Sequence, residues 1–190
     1  MNYFPTLLKF DNKKVLIIGG GKVATAKLKH LLDFTTNITI ISPTILPDMM
    51  AIINKKSLSF INRSYIKDDI KDFDIIIAAL NDIHLQKEIF KESRKYNSLY
   101  NCVDIKECCD FIFPSYIKKG DLTIAISTNG TSPALSKYLK IYFDKIIPNS
   151  IIKFLEEMKQ YRNEIPKSKK RMRFLRLKAK QYFILLGLSK

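Results

Sequence analysis

Gly19-Gly20-Gly21-Lys22-Val23-Ala24 is the stretch whose residue types and spacing point most directly to chemistry. It has the G-x-G-x-x-A form of a dinucleotide fingerprint. Gly19 permits a tight turn, Gly21 lets the backbone approach a pyrophosphate, and Ala24 lets a helix pack close to a strand. Amides at the start of that helix, aided by its dipole, would meet the phosphates. The competing reading is a glycine-rich turn without a ligand. Position favours the fingerprint, because the run lies directly between a predicted strand and a predicted helix. The next strand ends in Ile41-Ser42-Pro43-Thr44, without the Asp or Glu that usually holds a ribose 2′-hydroxyl. Ser42, Thr44 or backbone groups would have to substitute. No Arg stands there to favour a 2′-phosphate, so these residues leave NAD and NADP open.

Cys102, Cys108 and Cys109 lack paired C-x-x-C spacing, and His30 and His84 lie on predicted helices with no second ligand at metal-site spacing. No permanent metal site and no disulfide framework is expected, and Cys102 should pack in its strand as a small hydrophobe.

The elements that must position these residues alternate. Lys14–Ile18, Asn37–Ile41, Ser57–Asn62, Phe73–Leu80 and Ser98–Val103 read as strands. Helices are expected over Lys22–Phe34, Leu46–Lys55 and from Asp82, as cap, to Tyr96, with Ile83, Ile89 and Phe90 facing inward. The nearly continuous apolar run Phe73–Leu80 suits a central parallel strand buried on both faces. Such alternation means a parallel sheet covered on both sides. The pattern then changes to a hairpin, Phe111–Lys118 and Leu122–Ser127 around Lys119-Gly120-Asp121. Helices follow from Thr131-Ser132-Pro133 to Ile147, from Asn149 or Ser150 to Arg162, and over Lys169–Leu186. The fold class is α/β: a Rossmann-type parallel-sheet domain over 1–110, a small α+β region over 111–148, and a helical basic tail over 149–190.

Tyr3-Phe4-Pro5, Val15–Ala24 with its triple glycine, Ala78-Ala79-Leu80-Asn81-Asp82, Asn101-Cys102-Val103-Asp104, Asp110–Ser115 and Leu122–Pro133 occur in order across roughly residues 3–140. Together they resemble the siroheme synthase N-terminal family. The resemblance implies NAD-dependent oxidation of precorrin-2 to sirohydrochlorin, in some members ferrous iron insertion to give siroheme, and a homodimer built on the 111–148 region. The apolar, strand-forming stretch Phe111–Ser127 is too short for an independent core, which also suits a dimer. Iron would be a transient substrate. A methyltransferase like that fused in some relatives is not expected within these residues.

Carried over by position, the resemblance makes Asp104 the catalytic residue. The residues themselves add that Asp104 would sit at the carboxyl end of a parallel strand, where open α/β sheets bind ligands. Oxidation removes a hydride and a proton, and a carboxylate there can accept the proton. Without the resemblance, Asp104 reads as a loop residue capping a turn. For the dinucleotide, the resemblance implies Gly19, Gly20, Gly21, Lys22, Val23 and Ala24, with Pro43 and Thr44 on the adenosine side and Asn81 and Asp82 near the nicotinamide. Asn81 and Asp82 also read as a helix cap. Ser127, Thr128, Asn129, Thr131 and Ser132 would contact the tetrapyrrole; Thr128 and Asn129 stand where some relatives have Ser and Gly.

Composition sets the outer limits. Of 190 residues, 46% are hydrophobic and 27% charged, as in globular proteins. Apolar runs such as Ile75–Leu80 fall far short of the roughly 20 residues that span a bilayer. Met1–Phe10 shows neither a long apolar stretch nor a cleavage site, so a cytoplasmic protein without a signal peptide is expected. Lys and Arg number 33 against 18 Asp and Glu, a net charge of +15. That surplus fits a solvated Lys-rich surface, a polyanionic small substrate or nucleic acid. Residues 151–190 concentrate it, with twelve Lys or Arg, Lys190 among them, against Glu156, Glu157 and Glu164, leaving +9. A rim of tetrapyrrole carboxylates would pair with such a surface. So would bulk water, with Phe174, Leu175, Leu177, Phe183 and Leu186 turned inward. Two other classes stay open: a dinucleotide-sensing nucleic-acid-binding regulator and a non-catalytic tetrapyrrole carrier. No helix-turn-helix or RNA-binding signature favours the first, and no membrane partner is expected.

Overall fold

The computed structural model describes residues 3–187; Lys190 of the basic tail lies outside them. The described chain divides into two compact units between Ile112 and Phe113.

In the first unit, short runs of β-branched and apolar residues form β1 (Val15–Ile18), β2 (Ile38–Ile41), β3 (Ser59–Ile61), β4 (Ile75–Ala78) and β5 (Leu99–Cys102). All pair in parallel, in the order β3-β2-β1-β4-β5. Helices α1 (Lys22–Leu31), α2 (Pro47–Lys56) and α3 (Ile83–Ser93) alternate with them. Every residue of β1 and β4 is buried, and alternate residues of a strand point to opposite faces, so both faces are covered. One core cluster joins Leu16, Ile18, Ile76, Ala78, Tyr100 and Cys102 to Ile89 of α3. At the opposite edge, the Asp74 carboxylate accepts from the Lys14 amide (2.9 Å) and the Lys13 ammonium (2.6 Å), locking the starts of β1 and β4 together.

Register aligns the strand ends. Ile18 lies opposite Ile41 and Ala78, and Ala78 opposite Cys102. The loops after β1, β2, β4 and β5 therefore leave the sheet along one edge. Ile83, expected inside, is 48% exposed, because it is the first residue of α3 and stands at that edge with no layer beneath it.

The second unit is an antiparallel hairpin of β6 (Ser115–Lys119) and β7 (Leu122–Ile126), then α4 (Pro133–Ile146), α5 (Ser150–Glu164) and α6 (Lys169–Leu185). Ser132 caps α4 with its hydroxyl and Pro133 opens the first turn, where its missing N–H costs nothing. Of the apolar residues expected inside α6, Leu175 is buried while Leu177 and Phe183 are 54% exposed. The helix has more apolar positions than the unit's small interior can cover.

Candidate functional site: the carboxyl edge of the sheet

Strand order reverses between β1 and β4, since β2 and β3 lie on one side and β5 on the other. Such a switch point leaves a crevice at the carboxyl ends, the place where open α/β sheets take ligands. Gly19 enters it with φ +123°, and a Cβ there would overlap the Ala79 carbonyl oxygen. A Cβ on Gly20 would overlap the Thr44 carbonyl oxygen and crowd Ser42 Oγ. The glycine loop is thus wedged between the loops after β2 and β4, and Gly20 serves packing. Gly21 is different. Apart from its own stretch of backbone, no heavy atom of the described residues lies within 4 Å of the place its Cβ would take, so this face is open.

Gly21 is also the N-cap of α1, with no side-chain cap and no acidic residue in the first turn. First-turn amides have no partner within a helix, and the dipole places positive charge there. Lys22 starts the helix, Val23 is exposed beside it, and Ala24 is fully buried against the sheet. An open backbone face, unfilled amides and a basic residue fit a dinucleotide pyrophosphate.

Pro43 and Thr44 follow β2 and are exposed. Ser42 is buried, and its hydroxyl donates to the Thr44 carbonyl at 2.6 Å. It is therefore not presented as a donor to a ribose, which leaves Thr44 and backbone groups for that task. Asn81 and Asp82 follow β4, both exposed. Asp82 caps α3, its carboxylate accepting from the Leu85 amide at 3.0 Å.

Asp104 lies in an exposed bend two residues beyond Cys102, at the end of β5. The loop that carries it is tied back to this edge strand. The Asp110 amide donates to the Tyr100 carbonyl (2.8 Å), and the Tyr100 amide donates to the Asp110 carboxylate (2.8 Å). Arg94 grips both oxygens of that carboxylate. Asn101 Nδ2 donates to the Phe111 carbonyl (2.8 Å), and the Cys102 amide to Cys109 Sγ (3.3 Å). Asp104 thus projects from a loop whose two ends are held, as a proton acceptor must be to meet a reacting atom. The Arg94–Asp110 pair carried no sequence signal, because sixteen positions separate its members. Lys27 on α1 was equally hidden among many lysines. Burial pushes its ammonium down to about 8, against an opposing pull from Cys109.

Ser127, Thr128, Asn129, Thr131 and Ser132 lie in the second unit, between β7 and α4. The Asn129 amide donates to Ser127 Oγ (3.1 Å), the Ser132 amide to Thr128 Oγ1 (3.1 Å), and the Thr131 amide to the Thr128 carbonyl (2.9 Å). Asn129 takes φ +51°, a left-handed conformation that Asn tolerates better than most residues. Ser132 is also a helix cap, accepting from the Leu135 amide (3.3 Å). Among the described residues, no three His, Cys, Asp or Glu gather to hold a metal ion.

With this geometry in view, residues 6–115 match the family described as "Putative NAD(P)-binding", and residues 119–140 match "Sirohaem biosynthesis protein central". The chain belongs to this NAD(P)-binding family of siroheme biosynthesis proteins. NAD, the expected cofactor, accords with it: the first unit is an NAD(P)-binding domain. Curated relatives of this family include a siroheme synthase of Pseudoalteromonas translucida, 33% identical over 80% of this chain and 32% of that protein. Another, from Vesicomyosocius okutanii, is 28% identical over 96% of this chain and 38% of its own length. The chain therefore spans about a third of the relatives it matches. A solved structure named SirC, precorrin-2 dehydrogenase, shares the fold across the whole chain, with TM-score 0.77 and 21% identity, covering 98% of this chain and 100% of that one.

Proposed function

We propose that this chain oxidises precorrin-2 to sirohydrochlorin with NAD, as a cytoplasmic homodimer. The observation that carries the reading is the position of Asp104. A loop-borne carboxylate, fixed at both ends, stands at the carboxyl end of β5, one strand beyond the dinucleotide switch point. The names of the relatives support it, since siroheme synthase and precorrin-2 dehydrogenase both denote work on this class of tetrapyrrole.

The Gly21 backbone face and the first-turn amides of α1 would hold the pyrophosphate, Pro43 and Thr44 the adenosine side, and Asn81 and Asp82 the nicotinamide end. The end of β2 carries neither an acidic residue for a ribose 2′-hydroxyl nor an Arg for a 2′-phosphate, so NAD is proposed from the family rather than from this strand end. When bound, the dinucleotide supplies the hydride acceptor. Asp104 takes the proton that leaves the substrate. Hydroxyls of Thr128, Thr131 and Ser132 and the basic side chains of α6 would meet the substrate carboxylates. Ferrous iron insertion, the second activity proposed, would use the same Asp104 to accept protons in turn from two ring N–H groups and pass them to solvent, as the iron, a substrate, takes their place. The dimer is supported by the exposed α4 residues Leu135, Tyr138, Ile141 and Tyr142.

The test is an anaerobic assay with enzymatically made precorrin-2 and NAD, followed by absorbance, then repeated with ferrous iron. Wild type should give the sirohydrochlorin spectrum. Asp104→Ala should lower turnover by about 10²–10⁴ while dinucleotide binding stays intact. Absence of NAD-dependent oxidation by folded, dinucleotide-binding wild type would sink the dehydrogenase reading and move weight to a carrier. Nucleic-acid binding that falls steeply with salt would instead favour a regulator.

A further inference from the structure

Seven positions apart in sequence, Cys102 and Cys109 bring their sulfurs to 3.7 Å. Cys109 Sγ also lies 3.3 Å from the Cys102 amide nitrogen and 3.4 Å from the Cys102 carbonyl oxygen. The two side chains are folded onto each other. Sulfurs already in contact have to close from there to the roughly 2.0 Å of a disulfide. Cys108 is buried in the same core cluster as Cys102.

We propose that Cys102 and Cys109 are a reversible disulfide site, oxidised by low-molecular-weight disulfides, whose closure resets the loop bearing Asp104. The bond itself stands independently of the dehydrogenase reading; its effect on turnover rests on that reading.

Cys109 is the half-buried member, so it meets the oxidant. Cys102 is buried, and desolvation together with Cys109 pushes its thiol up to about 12, so it is not the sulfur that attacks first. The Cys109 thiolate attacks one sulfur of the small disulfide and expels one small thiolate, leaving a mixed disulfide. Cys102 then loses its proton to solvent, attacks Cys109 Sγ and expels the second small thiolate. Two protein thiols become one disulfide, and the small disulfide, gaining two electrons, becomes two thiols.

The consequence for Asp104 is local and chemical. The reduced Cys102 thiol donates to the Ile105 carbonyl at 3.2 Å, and the single S–H of Cys109 is shared between the Cys102 carbonyl at 3.4 Å and the Ile105 carbonyl at 3.5 Å. A disulfide has no S–H, so the carbonyl of the residue after Asp104 loses its thiol donors. The new covalent ring runs from 102 to 109 and contains Asp104. Disulfides in reducing compartments are usually transient and regulatory, which suits such a bond.

The experiment equilibrates the full reduced chain with graded ratios of oxidised to reduced glutathione, then maps unreduced tryptic peptides by mass. Cleavage after Lys106 separates Cys102 from Cys109, so the link joins two peptides. The link should form in wild type and Cys108→Ser, and be missing in Cys109→Ser and in Cys102→Ala, the second guarding against misfolding of the first. Hydrogen exchange over residues 103–107 should change on oxidation only where the link forms. Turnover of precorrin-2 should fall at least about tenfold in wild type and Cys108→Ser, return with dithiothreitol, and stay level in Cys109→Ser. A missing link, a link through Cys108, or a link that leaves both exchange and turnover unmoved would overturn the proposal. A link and exchange change in a chain whose reduced form never oxidises precorrin-2 would uphold the site and sink the dehydrogenase reading.

Discussion

The two units differ in how much interior they own. In the first, β1 and β4 are buried along their whole length, and Leu16, Ile17, Ile76 and Tyr100 are completely enclosed. In the second, Ile117, Ser136 and Leu175 are the buried residues among those described, while Tyr138, Tyr142 and Leu185 are 71%, 59% and 84% exposed. No residue of α5 is buried. A sheet closed on both faces holds its loop ends in fixed positions without help. A hairpin with three amphipathic helices has more apolar surface than interior, and gains most when something covers it.

Breaking the first unit should cost most. Ile76→Ala removes buried methylene groups from a fully enclosed strand and should destabilise by about 2–5 kcal/mol in urea titration, independent of protein concentration. Truncating Tyr138 or Ile141 of α4 to Ser should leave the first unit intact, lower the apparent mass in light scattering from dimer to monomer, and make Tm depend less on protein concentration. Loss of Tm without a change of mass would show that α4 is not a subunit contact.

A middle-sized effect belongs to the glycine loop. Gly20→Ala forces a Cβ against the Thr44 carbonyl and should cost about 1–3 kcal/mol, with weakened NAD binding by calorimetry. Gly21→Ala, made into open space, should keep stability and weaken binding alone. Equal stability losses would erase the distinction between a packing glycine and a ligand glycine.

The smaller effects are titrations. The Lys27 ammonium is held down to about 8, so the unfolded chain binds more protons between there and the ordinary lysine value. Wild type should therefore gain stability relative to Lys27→Met as pH rises through that window, by equilibrium unfolding at fixed salt. Asp74 is held below the usual carboxylate range by its hydrogen bonds from Lys13 and the Lys14 amide. Its contribution should be present at neutral pH and vanish as pH falls through its lowered value. Being partly exposed, Asp74→Asn should cost under about 1 kcal/mol.

The elements were legible wherever local pattern and burial agree. Phe73–Leu80 read as a central strand because an unbroken apolar run has nowhere to go but between two layers, and its centre became β4. Ser132-Pro133 read as a helix start because hydroxyl cap and proline act within one turn. The strand order puts the glycine fingerprint and Asp104 on a single edge, which the alternation of elements already implied. What escaped depends on pairings across the fold. Ser42 could stand in for a ribose ligand on paper, but its hydroxyl is spent on the Thr44 carbonyl. Ile83 fits a helical period yet sits where the layer ends. Leu177 and Phe183 fit the same period on a helix with too little interior to bury them. Arg94 and Asp110 meet only because the loop doubles back along β5.

That doubled-back loop has another consequence. β5 is the last strand of its sheet, and an unpaired outer strand is a template on which a second chain can grow. Here the Asp110 carboxylate and the Cys109 sulfur accept from the backbone amides of Tyr100 and Cys102, and the Asp110 amide donates to the Tyr100 carbonyl. The segment that presents Asp104 to solvent is thus also the sheet's own stopper against aggregation, and a chain that lost its grip there would risk fibrils as well as silence.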